Sequence, residues 1–371
     1  MSITAIEKNT DLVIENLNIP DYEKVLKITN KKTGLKAIIA IHNTTLGSAL
    51  GGIRIYPYAS FDDALQDVLR LSKGMTYKAA VSEVGLGGGK SVIIADPTSE
   101  KTPELLQSFG EAVDSLQGEY ICAEDMNCTT ADVMEVRKTT KYVVGLPHEK
   151  SSGNPAPYTA WGTYRGIQSV AAQVYGSKSL EGKKIALQGL GSVGMLLLEH
   201  LFWEGAEIVA TDVDQEKLAK VAHQYGIQTV QPDAIYDVEC DIFVPCAMGA
   251  IINDRTIHRL KCKAIAGCAN NQLHQPVHGD ILKEKGILYA PDFVINAGGL
   301  LNVSIELEEN GYCPVFSRRK VHNIYDVLMQ IYKIAAEKNI STDVAAVEFA
   351  TYRIEQKIGK RSSALTFHHS L

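Results

Sequence analysis

Four places in the first half of the chain put charge among apolar or glycine-rich neighbours. They are Arg54 in GGIRIYPY, Lys78 in GMTYKAAV, Lys90 in LGGGKSVI and the acids Glu124-Asp125 in ICAEDMN. Solvated surface lysines need no such setting; two of them, with an acid pair after a strand, describe a charged pocket. One lysine can bind a carboxylate. The other, buried beside a cation, is disfavoured from holding its proton and can act as a general base, while the acids carry protons. The glycines before Lys90 also invite comparison with the phosphate loop G-x-x-x-x-G-K-[ST]. Its first glycine would have to be residue 84, which is Val84. Val92-Ile93-Ile94-Ala95, closed by Asp96-Pro97, reads as a strand into a turn where that loop needs a helix. The phosphate loop is rejected.

A second constellation lies further along. Residues 184–188 read as a strand and run into Gly189-Leu190-Gly191-Ser192-Val193-Gly194, then a helix, MLLLEHLFWEG, and a second strand, EIVATD. This is the strand–glycine turn–helix context that gives G-x-G-x-x-G its meaning. The glycines allow the turn, the approach of a pyrophosphate and close helix–strand packing, and the helix N-terminus faces the phosphates with partial positive charge. Asp212 ends the second strand eighteen residues after Gly194, placed to reach the adenosine ribose hydroxyls. Its charge would repel a 2′-phosphate, and 213–216 hold no arginine, so NAD is favoured over NADP.

The elements that must carry these residues follow from pattern. KAIIAIH, 36–42, reads as a buried strand, and 61–74 as a helix capped by Ser60 and stopped at Gly74. A helix over about 103–117, a strand at 119–123 and a helix opening at Thr130 come next. The Gly, Pro, Ser and Asn of GLPHEKSSGNPAP read as an interdomain connection and hinge. A helix holding Trp161, Tyr164 and Ile167 follows it. Beyond that, strands at 184–188, 207–211, 241–244 and 263–265 alternate with helices at 193–204 and 215–224, which implies a parallel sheet covered by helices. From about Lys320 the chain is helical again.

At 371 residues the chain is long enough for two domains, and its 45% hydrophobic and 22% charged composition is that of a globular protein. A net charge of −6 without a basic run argues against nucleic acid or anionic membrane as partners. The polar start, MSITAIEKNTDLVIENL, lacks signal or transit character, and no apolar run approaches membrane-helix length, so a cytoplasmic location is expected. The seven cysteines include three pairs six apart, 122/128, 240/246 and 262/268, a spacing zinc sites do not favour. Buried free thiols and no metal are expected.

LGSALGG, LRLSKGMTYK, LGGGKSVIIADP, AEDMN, SSGNPAP, DIFVPCAMGAIIND, CANNQL and YAPDFVINAGGLLNV together resemble the NAD-dependent amino-acid dehydrogenases, most nearly the leucine dehydrogenase branch with its valine, phenylalanine and tryptophan relatives. The resemblance runs over about 20–360. It implies an α/β fold of two domains separated by a cleft: a substrate-binding and oligomerisation domain, 1–145 plus about 338–371, and a Rossmann NAD-binding domain, 146–337. It implies reversible oxidative deamination of an apolar L-amino acid to a 2-oxo acid and ammonia, in a homo-oligomer, often an octamer. By this resemblance Lys90 activates the attacking water and Asp125 shuttles protons. Lys78 binds the substrate carboxylate with the Gly51-Gly52 backbone and Met75. Thr159 and Asn271 meet the nicotinamide end, while Gly189, Gly191, Ser192, Val193, Gly194 and Asp212 hold the dinucleotide. Arg54 is left as a supporting residue.

Glutamate-specific members of the wider family set a lysine and a serine against the substrate side chain. The matching positions here are Leu50 and Val303, with Leu300 nearby, so a side-chain carboxylate would be desolvated and unpaired. Leucine and its branched relatives are the expected substrates, with phenylalanine or tryptophan the alternative. Ile55, Met126 and Cys128 depart from the usual pattern, the last two close enough to the pocket to alter its shape. Two other classes compete. A silent NAD-binding sensor would be expected to lose one of Lys78, Lys90 or Asp125. A 2-hydroxyacid dehydrogenase would use a histidine with an acid partner, whereas His148, His258, His274 and His278 read as solvated.

Overall fold

The computed structural model describes residues 11–147 and 150–368, and divides them into two compact units. The leader reading of the first residues and the reading of His148 fall outside these. The first unit takes its chain from 1–153, 306–312 and 357–371. It holds strands β1 (Leu12–Asn16), β2 (Lys24–Asn30), β3 (Leu35–Asn43) and β4 (Ala49–Tyr56), helix α1 (Phe61–Ser82), β5 (Gly87–Ile94), α2 (Pro103–Ser115), β6 (Tyr120–Glu124) and α3 (Thr130–Arg137). The sheet order is β1-β2-β3-β5-β4-β6, antiparallel through β3 and β5 and parallel from β5 to β4 to β6.

β3 is buried on both faces, and its period of two divides the core. Ile38 and Ala40 pack with Ala64 and Val68 of α1, while Ile39 and Ile41 join Leu106, Phe109 and Val113 of α2. The antiparallel strands β1 and β2 were not read from sequence, because LVIEN and KVLKITN are short and half polar.

Helix α1 opens as expected at Ser60, whose side chain accepts from the Asp63 N–H, but it does not stop at Gly74. It continues to Ser82 and ends where Glu83 turns left-handed at φ 48°. Gly74 costs a helix roughly 1 kcal/mol relative to alanine, a penalty that packing along β5 and β3 outweighs. Met75 and Lys78 therefore stand on a helix. The glycines before Lys90 are strand rather than loop. A Cβ on Gly88 would collide with the backbone of Thr76, so the missing side chain is what lets α1 lie against β5.

The second unit, 154–305 and 313–356, begins with α4 (Ala156–Tyr175). β7 (Lys184–Gln188), α5 (Ser192–Trp203), β8 (Glu207–Thr211), α6 (Gln215–Tyr225), β9 (Gln228–Thr229), β10 (Ile242–Pro245) and β11 (Ala264–Ile265) follow. It closes with α7 (Val277–Glu284), β12 (Leu288–Tyr289), α8 (Asp292–Ile295), α9 (Gly298–Ser304), α10 (Pro314–His322), α11 (Ile324–Lys338) and α12 (Thr342–Glu355). Its six strands are all parallel in the order β12-β11-β10-β7-β8-β9, the doubly wound arrangement.

After the short passage at 306–312, the chain makes its final return to the first unit at 357, later than the expected 338 or so. Helix α12 stays in the second unit, where Thr342 Oγ1 donates to the Tyr289 carbonyl at 2.6 Å and Asp343 packs against Gly279. Among the described residues no helix is long and apolar enough to cross a membrane.

Candidate active site

Three strands of the first unit converge on one ion pair. β4 lies between β5 and β6, so Gly51 and Gly52 stand beside Cys122 and Ala123, and the chain leaving β6 delivers Asp125. Lys90 Nζ lies 3.0 Å from Asp125 Oδ2, with the lysine side chain 6% exposed. The ion-pair partner of Lys90 is thus the acid of the AEDMN stretch. A Cβ on Gly52 would stand 2.6 Å from Asp125 Cβ and 3.2 Å from Lys90 Nζ, and one on Gly51 would run into the Gly89 carbonyl. Gly52 leaves the room the pair occupies, and Gly51 lets β4 and β5 approach. Beneath them the buried Tyr120 hydroxyl donates to the Gly51 carbonyl at 2.9 Å.

Arg54 belongs to the same network. Its Nε donates to Asp125 Oδ2 at 3.1 Å and its Nη1 to Asp67 Oδ2 at 2.8 Å, while the Tyr58 hydroxyl donates to that same Asp67 oxygen at 2.7 Å. Burial works against the Asp125 charge, but Lys90 and Arg54 outweigh it and hold the carboxyl down to about 2. Asp67 and Tyr58 gave no signal in the sequence. Asp67 sits on the α1 face turned to β4, a placement only the packed helix reveals.

The remaining residues of this unit divide by element. Leu50 is buried on β4, whereas Met75 and Lys78 are half-buried on α1, on the turns flanking the contact with Gly88. The departures from the usual pattern are absorbed differently. Ile55 and Cys128 are core residues, and Met126 is 49% exposed at a tight turn where Asn127 takes φ 59°.

In the second unit Gly189 turns left-handed at φ 96°, directly after β7, and Gly191 becomes the N-cap of α5 with no side chain capping the helix. The first N–H groups of α5 are thus left for a ligand, and nothing stands within 4 Å of where a Gly191 Cβ would be. A Cβ on Gly194 would strike the Gly189 carbonyl, which is how closely helix and strand approach. Asp212 Oδ2 accepts from the Leu190 N–H at 2.6 Å and Oδ1 from the Asp214 N–H at 2.8 Å. It braces the glycine turn from the tip of β8. Ser192 and Val193 open α5. Thr159 lies in the first turn of α4 beside Gly298 and Gly299, and Asn271, at φ 51°, accepts from the Ala250 N–H at 2.7 Å. Leu300 and Val303 share helix α9. The residues present fit a dinucleotide.

His258 and His274 are exposed, but His278 is not solvated as expected. It is fully buried, with Nε2 3.0 Å from Asp254 and Nδ1 accepting from the Gln275 N–H at 3.0 Å. Closing the first turn of α7 keeps it inside.

A doubly wound unit with an open glycine turn, joined in one chain to a unit holding a buried lysine–carboxylate pair, has the parts of a nucleotide-linked dehydrogenase. The chain belongs to the Glu/Leu/Phe/Val dehydrogenase family: the family's dimerisation-domain model matches residues 23–142, and the Glutamate/Leucine/Phenylalanine/Valine dehydrogenase model matches 206–361. It is 50% identical over 352 residues to the leucine dehydrogenase of Geobacillus stearothermophilus, covering 95% of each chain. It is 48% identical to the phenylalanine dehydrogenase of Caldalkalibacillus thermarum, covering 94% of each. Among solved structures, L-tryptophan dehydrogenase from Nostoc punctiforme superposes with a TM-score of 0.80 at 46% identity, over 91% of this chain and 97% of that one.

Proposed function

We propose that this enzyme catalyses the reversible, NAD-dependent oxidative deamination of leucine and other branched-chain L-amino acids. The Lys90–Asp125 pair, buried above Gly52, carries this reading. Lys78 binds the substrate carboxylate, helped by the Gly51-Gly52 backbone and Met75. When bound, the nicotinamide supplies the hydride acceptor for the substrate Cα. Lys90 takes the proton of the water that attacks the resulting iminium carbon. Asp125, 3.0 Å from Lys90 Nζ, orients the lysine and exchanges protons with the amino group of the substrate. Gly189, Gly191, Ser192, Val193 and Gly194 cradle the pyrophosphate, Asp212 meets the adenosine ribose and selects NAD, and Thr159 and Asn271 meet the nicotinamide end.

Leu50, Leu300 and Val303 are proposed contacts of the substrate side chain. All three are apolar, which favours aliphatic substrates over glutamate. The family model described as a dimerisation domain, together with the exposed Val13 and Ile14 on edge strand β1, supports assembly of copies through the first unit.

NADH formation from leucine, valine, isoleucine, phenylalanine, tryptophan and glutamate tests the assignment. Branched aliphatics should lead. An aromatic leading would shift the substrate while keeping the chemistry, and silence on all six would overturn both. Lys90→Ala should retain NAD binding and lose turnover by orders of magnitude; near-unchanged activity would sink the role given to Lys90.

A further inference from the structure

Arg54 bridges two carboxylates, and only Asp125 has a part in the proposed chemistry. Asp67 lies on α1 with its side chain 15% exposed, and its Oδ2 accepts from both Arg54 Nη1 at 2.8 Å and the Tyr58 hydroxyl at 2.7 Å. Burial, and then the bond to Asp67, push the Tyr58 hydroxyl up, so it keeps its proton and stays a donor. Stability is a weak reason for such a group, because an apolar replacement of a buried ion pair is often neutral or better.

The backbone around Asp125 is held without this bridge. The Ile55 N–H donates to the Met126 carbonyl and Asn127 Nδ2 to the Ile55 carbonyl, each at 3.0 Å, which ties the turn to β4. The Cys128 N–H closes the turn on the Asp125 carbonyl at 3.0 Å. What these bonds leave free is the direction of the carboxylate, and its Oδ2 is the atom that Arg54 Nε, at 3.1 Å, and Lys90 Nζ, at 3.0 Å, both address. Lys78 is placed by other means: it stands eleven positions beyond Asp67 on α1, past the point where Thr76 meets Gly88.

On the reading of Lys90 and Asp125 given above, we propose that Asp67 is a positioning residue for the deamination: it anchors Arg54 so that the guanidinium aims the Asp125 carboxylate at Lys90, and Tyr58 fixes Asp67 in turn. Its second effect is electrostatic. The charged and titratable groups around Arg54 and Asp67 are Lys90 from β5, Asp125 and Tyr120 from β6 and the turn after it, Tyr58 beyond β4, and Arg70 from α1. Glu124 turns instead to the Thr130 hydroxyl, at 3.1 Å. Arg70, 3.4 Å from Asp67 and 59% exposed, is solvated and counts for little. Asp67 thus offsets the Arg54 charge inside the site. Without it the site carries one negative charge fewer, which favours loss of its exchangeable protons.

Asp67→Asn keeps the size of the side chain and removes its charge. With leucine and NAD it should lower kcat about ten-fold while leaving both KM values within about two-fold of the parent. The acid limb of kcat against pH should move to lower pH, and Asp67→Glu, which returns the charge, should bring the limb back. Tyr58→Phe takes one hydrogen bond from Asp67 and no charge, so kcat should fall by about two- to five-fold with the limb unmoved. A merely structural pair would lower the melting temperature and leave kcat per folded enzyme and the limb where they were, and that result overturns the proposal. So does a loss carried by KM alone. Lys90→Ala, measured beside them, separates the two readings. If it keeps its activity, the chemistry assigned to Lys90 falls; if it is inactive while Asp67→Asn and Tyr58→Phe turn over like the parent, only the role of Asp67 falls.

Discussion

Asp125 keeps its charge in surroundings that burial alone would make hostile to it. Lys90 and Arg54 both reach the same oxygen, and together they reverse the effect of desolvation. A carboxyl held at about 2 rather than near 4 stabilises the folded enzyme by about 2 kcal/mol at neutral pH. The sign is that of a depressed acid. The contribution is full above the unfolded value and is lost as pH falls through the folded one. Arg54→Leu removes one cation, so the folded value should rise and the acid loss of stability should move to higher pH, read from melting temperature against pH. An unchanged acid limb would deny Arg54 its hold on Asp125. Asp125→Ala strands the buried Lys90, while Arg54 keeps Asp67, and should cost about 3–5 kcal/mol in denaturant unfolding, beyond its effect on turnover.

Between elements, a glycine is a distance. Helix α1 carries Met75 and Lys78, and its separation from β5, which carries Lys90, is set where Thr76 meets Gly88. Gly88→Ala should push the helix away, destabilising the enzyme by about 1–3 kcal/mol and raising KM for the amino acid more than it lowers NADH affinity. Equal loss of both would mean that the helix does not position the substrate lysine. In the second unit, Gly194→Ala forces α5 off the Gly189 carbonyl and should weaken NADH binding while leaving the Lys90–Asp125 network intact.

Across the whole molecule, the first unit is assembled from three stretches of chain, and Glu306 ties two of them. Its buried carboxylate accepts from the backbone N–H groups of Gly145 and Ser152, at 3.1 and 2.8 Å, and from both serine hydroxyls of Ser151-Ser152. Glu306→Ala leaves those donors unpaired and should lower the melting temperature by several degrees, at about 1–3 kcal/mol for each donor that water cannot reach. A melting temperature within a degree of the parent would show that solvent replaces the carboxylate.

Sequence by itself determined what is local. The strand, glycine turn, helix and Asp212 of the nucleotide unit are contiguous, and Gly189 and Gly194 answer backbone demands within a few residues of each other. The strand after Lys90, the N-cap of α1, and the parallel character of the second sheet follow from short-range pattern for the same reason. Tertiary structure alone decided what depends on residues far apart in the chain. Packing along β5 carried α1 through Gly74, and the fit of α12 against Tyr289 and Gly279 delayed the return to the first unit. Arg54, Asp67 and Tyr58 became neighbours of Asp125 only when β4, α1 and β6 met. Hydrogen bonds and side-chain volume act over a few ångströms, and only folding brings distant residues within that reach.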